Sequence, residues 1–213
     1  MYTVDQQHGH ATDSTIKAAV DNWYSTSNLT NYGSFINSNA VYCNDRSVGS
    51  GTWSSDGETF SYASKLRLSS DVANYYPTYK CGGDINGTYY ESAENRLEDK
   101  FSATNVVGNG YLTYPVGLMT ADEVVFVGGK QGEVLESPYS WYYSNDESNS
   151  ITDTKWWWTM TPLNWVSNTA KVFGVASTNV GRLNGVSVSS AGTDSKASAR
   201  PVISLDADRK SVV

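Results

Sequence analysis

The stretch that decides the fold is Leu112-Thr113-Tyr114-Pro115-Val116-Gly117-Leu118-Met119-Thr120-Ala121-Asp122-Glu123. It ends in a T-x-x-E capping box, in which the Thr120 side chain accepts from the backbone of Glu123 and the carboxylate returns the bond. Apolar residues follow directly, and Gly128-Gly129 can end a helix. The sequence therefore predicts a short buried helix from Ala121 to Val127.

A strand-like run from Leu112 to Leu118 precedes that helix, and its Pro115 indicates an edge or irregular strand. The last third of the chain is predicted to be nearly all β, and Val186 and Val188 alternate with polar residues as is typical of a half-buried antiparallel strand. The further candidate strands are Trp156 to Met160, Ala170 to Ala176, Gly185 to Ser189, and Ala199 to Leu205.

An amphipathic helix of about three turns is predicted within Thr12 to Leu29, with Asp13 or Ser14 as its cap. Its apolar face would consist of Ile16, Ala19, Val20, Trp23 and Tyr24. Two helices and a mostly antiparallel sheet, joined by long irregular loops, indicate an α+β class without a parallel βαβ rhythm. We expect one domain over residues 1–213, in which residues 1–11 form a flexible start.

The charge balance limits the kinds of partner. The chain has a net charge of -7, and its 15 Lys and Arg residues form no cluster. Nucleic acid is therefore a poor partner, because its binding depends on cations that contact phosphates. No apolar run approaches the length of a membrane helix. The first residues do not resemble a secretion signal, and we expect an extracellular or cell-surface protein whose leader or anchor is absent from this chain.

The two cysteines, Cys43 and Cys81, allow two interpretations. They are either buried reduced thiols or one disulfide that closes a long loop. A disulfide is favoured if the protein lies outside the cytoplasm. Two cysteines without neighbouring histidines do not make a four-ligand zinc site.

Tryptophan and tyrosine are concentrated between Tyr139 and Trp165. Consecutive residues of a strand point to opposite faces, so Trp156 and Trp158 oppose Trp157. Either this strand is buried on both sides or one Trp is exposed. Exposed rings beside amide and carboxylate groups suit contact with a glycan or a protein. The predicted ligand-binding residues are Trp141, Tyr142, Tyr143, Asn145, Asp146, Trp156 and Trp165.

Four segments occur in a recognisable order: Asn44-Asp45-Arg46-Ser47 after Cys43, the stretch quoted first, Trp158-Thr159-Met160-Thr161-Pro162, and Arg200-Pro201-Val202-Ile203-Ser204-Leu205. Together they resemble an uncharacterised family of secreted or surface-displayed bacterial domains, which is similar to the formylglycine-generating-enzyme and C-type-lectin-like superfamily. The resemblance covers about Thr12 to Leu205 and implies a C-type-lectin-like fold. It also implies structural roles for Thr120, Glu123, Trp158 and Arg200, with Arg200 paired to a carboxylate.

The chain departs from that superfamily where chemistry is concerned. Catalytic members use a cysteine pair late in the chain, whereas no cysteine follows Cys81 here. The calcium-dependent sugar motifs of lectins are also missing, and we expect no metal and no cofactor. The leading hypothesis is a non-catalytic adhesion or recognition module for a glycan or protein ligand. The alternatives are a glycan hydrolase that uses an acidic pair and a purely structural spacer.

Overall fold

The computed structural model describes residues 14–50, 60–68, 77–80, 100–104, 110–134, 156–166, 169–176, 182–187 and 198–207. The predicted flexible start lies outside these residues. Four helical segments are present in the described part of the chain. They are α1 (Thr15–Thr26), a 3₁₀ helix (Asn28–Phe35), α2 (Ala63–Leu68) and α3 (Ala121–Phe126). Sequence analysis predicts the first and the last, and misses the 3₁₀ helix and α2.

Helix α1 begins where the sequence predicts, with the Ser14 side chain accepting from the backbone N–H of Lys17 at 3.3 Å. Its buried face is narrower than expected, since only Ile16, Val20 and Tyr24 are buried. Trp23 is 40% exposed, and Ala19 is exposed as well. The expectation that these two side chains pack inward is wrong, because α1 contacts the core along a single i, i+4, i+8 line.

Both halves of the capping box of α3 are present. The Glu123 N–H donates to Thr120 Oγ1 at 3.1 Å, and the Thr120 N–H donates to Glu123 Oε2 at 2.7 Å. The helix ends at Phe126, one residue earlier than predicted. Gly128 then adopts a φ of 98°, in the left-handed region that glycine enters without steric cost. The N–H of Gly129 donates to the Val124 carbonyl at 2.9 Å and closes the helix end.

Eleven strands form three sheets in the described residues. The largest sheet has the order β2-β3-β7-β8-β9, and its neighbouring strands are antiparallel along this path. A short strand, β10, pairs with β7 in parallel. The strands are β1 (Tyr42–Cys43), β2 (Val48–Ser50), β3 (Phe60–Tyr62), β4 (Lys100–Ser102), β5 (Gly110–Tyr111), β6 (Gly117–Leu118), β7 (Trp157–Val166), β8 (Thr169–Ala176), β9 (Arg182–Ser187), β10 (Ser198–Ala199) and β11 (Pro201–Val202).

This mixture of helices and mainly antiparallel sheet agrees with the predicted α+β class. The two strand-like runs that contain proline are less regular than predicted. The run from 112 to 118 contributes only the two residues of β6, with bends at residues 113–115. The run from 199 to 205 is divided between β10 and β11. Strands β6 and β11 pair with each other, which brings two of the four resemblance segments side by side.

The central strands are buried on both faces, which decides between the two alternatives for the Trp run. Trp158 packs in a first core with α1, while Trp157 packs in a second core with α2 and α3. Strand β8 alternates in the same way, since Val172 joins the first core and Phe173 joins the second. Trp158 is therefore a core residue, with 2% of its surface exposed.

Irregularities in β7 determine where its later side chains point. The pairing with β8 shifts register between Trp158 and Pro162, and again between Pro162 and Asn164. Such bulges redirect the residues that follow them. Trp165 consequently packs in the first core and is 3% exposed. The prediction that Trp165 contacts a ligand at the surface does not agree with this buried position.

Candidate functional site

A cavity of about 370 Å³ lies between β1, the start of α3, β11 and residues 77–80. We call residues 77–80 the rim segment. All four resemblance segments contribute residues to the lining of the cavity, which includes Thr120, Asp122 and Glu123. Segments predicted to stabilise the fold thus also form a concave surface.

The rim segment is attached to the rest of the site by side-chain and backbone contacts. The N–H of Thr78 donates to Asp122 Oδ1 at 2.9 Å. The ring of Tyr79 stacks on Phe126 with the centroids 4.2 Å apart and the planes 7° from parallel. Tyr79 nevertheless remains 72% exposed, so this aromatic ring at the cavity edge is available to solvent and to a ligand.

Cys43 lines the cavity beside the rim segment. Its Sγ lies 3.8 Å from the carbonyl oxygen of Tyr79, and the residue is disulfide-bonded. The sequence contains one other cysteine, Cys81, which follows the rim segment directly but lies outside the described residues.

Arg67, Asp45 and Asp122 form a buried ion cluster in the cavity wall, which we call the Arg67 cluster. Arg67 Nη1 lies 2.6 Å from Asp45 Oδ2. Its Nε and Nη2 donate to the two oxygens of Asp122 at 3.0 and 2.8 Å. This fork-to-fork geometry is the strongest form of an arginine–carboxylate contact. Burial alone would lower the pKa of Arg67, but the hydrogen bonds and charges of Asp122 and Asp45 outweigh it and raise the pKa above its usual value.

Every carboxylate oxygen of the Arg67 cluster already accepts a hydrogen bond from the protein. Asp45 Oδ1 accepts from the N–H and the hydroxyl of Ser47 at 3.0 and 2.6 Å. Asp122 Oδ1 accepts from Arg67 and from the N–H of Thr78. The cluster therefore connects α2, α3, the segment after β1 and the rim segment.

Glu123 is placed differently, because the described residues engage only one of its two oxygens. Glu123 Oε2 accepts from the N–H and the hydroxyl of Thr120 at 2.7 and 3.0 Å. Its Oε1 makes no hydrogen bond with any residue that the structure describes. The side chain is half-buried and lines the cavity, so it offers an acceptor there.

Tyr42 forms a hydrophobic part of the wall. Its ring packs closely on Gly117, where a side chain would collide with the ring. The hydroxyl donates to the carbonyl of Pro115 at 2.9 Å. Burial raises the pKa of Tyr42 to about 12, an effect that a backbone hydrogen bond from Ser204 partly opposes and that the charges of Tyr24 and Glu123 reinforce.

The residues predicted to bind a ligand are not brought together within the described structure. Trp141, Tyr142, Tyr143, Asn145 and Asp146 lie outside the described residues. Trp156 is half-buried and does not line the cavity. Arg200, expected beside a carboxylate, has its guanidinium carbon 4.9 Å from the ring centroid of Trp157, a cation–π contact.

Sequence analysis missed three residues of the site, namely Asp45, Arg67 and Tyr79. Along the chain, Arg67 lies 22 residues from Asp45 and 55 residues from Asp122. No local sequence pattern indicates such pairing. Asp122 was interpreted only as a favourable charge at a helix start. The one local signal is the D-x-S spacing of Asp45 and Ser47, which is typical of an Asx turn.

Within the described ranges, no set of three or more His, Cys, Asp or Glu side chains is arranged to hold a metal ion. None of the helices described is both long enough and apolar enough to cross a bilayer. The chain matches no family model, no curated protein and no solved structure. The resemblance to C-type-lectin-like domains therefore stays a prediction.

Proposed function

We propose that this chain is a non-catalytic ligand-binding module of a secreted or cell-surface bacterial protein, with a C-type-lectin-like fold and a glycan ligand. The observation that carries the proposal is the exposed ring of Tyr79 at the edge of a cavity with polar and apolar walls. A flat ring covers the apolar face of a sugar while oxygen acceptors bind its hydroxyls.

The hydrogen bonding of the acidic groups supports binding over hydrolysis. A glycosidase needs one carboxylic acid to protonate the leaving oxygen and a second carboxylate to attack or to activate water. Asp45 and Asp122 are both fully bonded to protein donors. Neither has an oxygen without a protein donor, which supports a structural role for this acidic pair.

The disulfide at Cys43 supports the proposed location. Disulfides persist in oxidising compartments and are rare in the cytosol of most organisms. An extracellular module also suits a recognition role, in which loops on a rigid sheet carry the contacts.

A glycan array that compares the wild-type chain with Tyr79→Ala tests the proposal. Loss of a stacking ring at a binding hot spot is expected to weaken capture by about tenfold or more. The matched control is Tyr111→Ala, because Tyr111 is 59% exposed and does not line the cavity.

Three other outcomes would contradict parts of the proposal. Equal capture by wild type and Tyr79→Ala would exclude this cavity, and loss in Trp156→Ala would then return the site to the aromatic region of the sequence. Capture of extracellular proteins without any glycan would change the ligand class. Absence of any capture would favour the structural spacer.

A further inference from the structure

We infer that the cavity selects an uncharged sugar over an anionic one, and that Glu123 determines this preference. The inference rests on the proposed function, since it assumes that a glycan occupies the cavity. It goes beyond that function by assigning the charge of the ligand and the residue that discriminates between neutral and anionic ligands.

Among the described residues, the fixed charges of the cavity wall give it a negative sign. Asp45 and Asp122 together share the single positive charge of Arg67, so the Arg67 cluster carries one formal negative charge. Glu123 adds a second. Lys80 also lines the cavity, but it is exposed, where water and salt screen its charge.

An acceptor-rich wall favours ligands that donate hydrogen bonds. The unengaged Oε1 of Glu123 can accept from a sugar hydroxyl, and a charge-assisted bond of this kind is stronger than a neutral one. A ligand carboxylate or sulfate in the same place would bring two negative charges together in a partly desolvated cavity. Such like-charge contacts are a recognised source of specificity between partners.

The stabilising role of Glu123 can be separated from this selectivity. The capping box requires one side-chain acceptor at this position, and glutamine serves as well as glutamate. Glu123→Gln therefore retains the helix start while it removes the charge. Glu133→Gln is the matched control, because it removes the same charge from an exposed side chain that does not line the cavity.

The test uses the neutral oligosaccharide that binds best on the array and its counterpart with one primary hydroxyl oxidised to a carboxylate. Titration calorimetry is expected to show at least about tenfold weaker binding of the acid by wild type and by Glu133→Gln. In Glu123→Gln the preference is expected to shrink to about threefold or less. Thermal unfolding of each variant verifies that it is folded.

A second measurement needs no variant. Raising the ionic strength is expected to reduce the preference of the wild-type chain, because salt screens the repulsion between wall and ligand. A preference that is unaffected both by Glu123→Gln and by salt, or a wild-type preference for the acid, would overturn the inference while glycan binding stands. If no oligosaccharide binds the wild type, the proposed function fails and the inference fails with it.

Discussion

The central sheet and the rim segment are held in place in contrasting ways. Strands β7, β8 and β9 pair side by side, and β7 and β8 contribute side chains to both apolar cores. Residues 77–80 are described as having no regular secondary structure. Their contacts with other described residues include a backbone bond to Asp122, a ring stack on Phe126 and proximity to Cys43. The sheet supplies stability, while the proposed binding site includes a segment without regular secondary structure that is held by side-chain and backbone contacts.

The Arg67 cluster joins these two regions. Helix α2, which carries Arg67, packs on β7, and Ser64 of the same helix donates to the Pro162 carbonyl of that strand. On the other side, Asp122 bonds both Arg67 and the rim segment. Damage to this cluster is therefore expected to affect the sheet side and the cavity side together.

Arg67→Met is expected to have the largest effect, a loss of about 3–5 kcal/mol in the free energy of unfolding. The substitution retains much of the side-chain volume but leaves Asp45 and Asp122 buried without a counter-charge. Urea unfolding followed by Trp fluorescence measures the change. Glycan binding is expected to fall as well, because Asp122 loses the partner that orients it toward Thr78.

The matched control is Lys130→Met, which breaks the exposed ion pair between Lys130 and Glu133 at 3.2 Å. Pairs in water contribute less than about 1 kcal/mol. Similar losses in the two variants would contradict the idea that the buried cluster joins the sheet to the cavity.

The elements that sequence analysis predicts are those that local chemistry specifies. The capping box at Thr120 and Glu123 depends on residues three apart, and the cap at Ser14 acts over the same distance. The apolar run that forms β8 is likewise visible in the sequence. Helix α2 was missed because its six residues lack a cap or an apolar repeat, and tertiary contacts rather than propensity hold it.

The site was less predictable than the fold, because its parts are distant in sequence. Thr120 and Glu123 were identified for their capping role, but their place in a cavity depends on β1 and β11. Trp165 illustrates the opposite error. Its aromatic neighbourhood suggests a ligand surface, yet the register shifts of β7 place it in the core. Bulges depend on pairing and are not visible in a single strand.

The raised pKa of Tyr42, which lines the cavity, predicts that the free energy of unfolding depends on pH. This effect is expected to be smaller than the loss in Arg67→Met. Its pKa is about 12 in the folded protein and 10.0 as a reference. The folded state therefore favours the protonated phenol, and this contribution is complete below pH 10. It is lost as the pH rises from 10 to 12, with a total of about 2 to 3 kcal/mol.

Comparison of the wild-type chain with Tyr42→Phe isolates this titration. Phenylalanine removes the hydroxyl bond to Pro115, at a cost of about 1 kcal/mol at neutral pH. The advantage of the wild-type chain over Tyr42→Phe is then expected to fall by about 2 to 3 kcal/mol between pH 10 and 12, so that it passes through zero and reverses sign. A constant difference over that range would show that the Tyr42 phenol is not shielded from solvent.

Thr120→Ala is expected to lower the free energy of unfolding by about 1 kcal/mol, because the start of α3 loses its cap. Thr120→Ser retains the hydroxyl and is the control, with most of the stability expected to remain. Equal losses in the two variants would assign the effect to packing of the Thr methyl group and not to the cap.

Phe126→Ala tests most directly whether the rim segment and the central sheet open independently. Its effect on the global free energy of unfolding is expected to be the smallest of the four. Phe126 is exposed and stacks on Tyr79, and aromatic pairs contribute about 0.5–1.5 kcal/mol. That loss is expected mainly in the rim segment, where the amide of Thr78 should exchange hydrogen faster, while the amides of Val172 in β8 keep their protection. Tyr111→Ala controls for removal of an exposed ring and should leave both rates unchanged. Faster exchange at Val172 in Phe126→Ala would mean that the rim segment and the sheet open as one unit, which would refute the contrast between them.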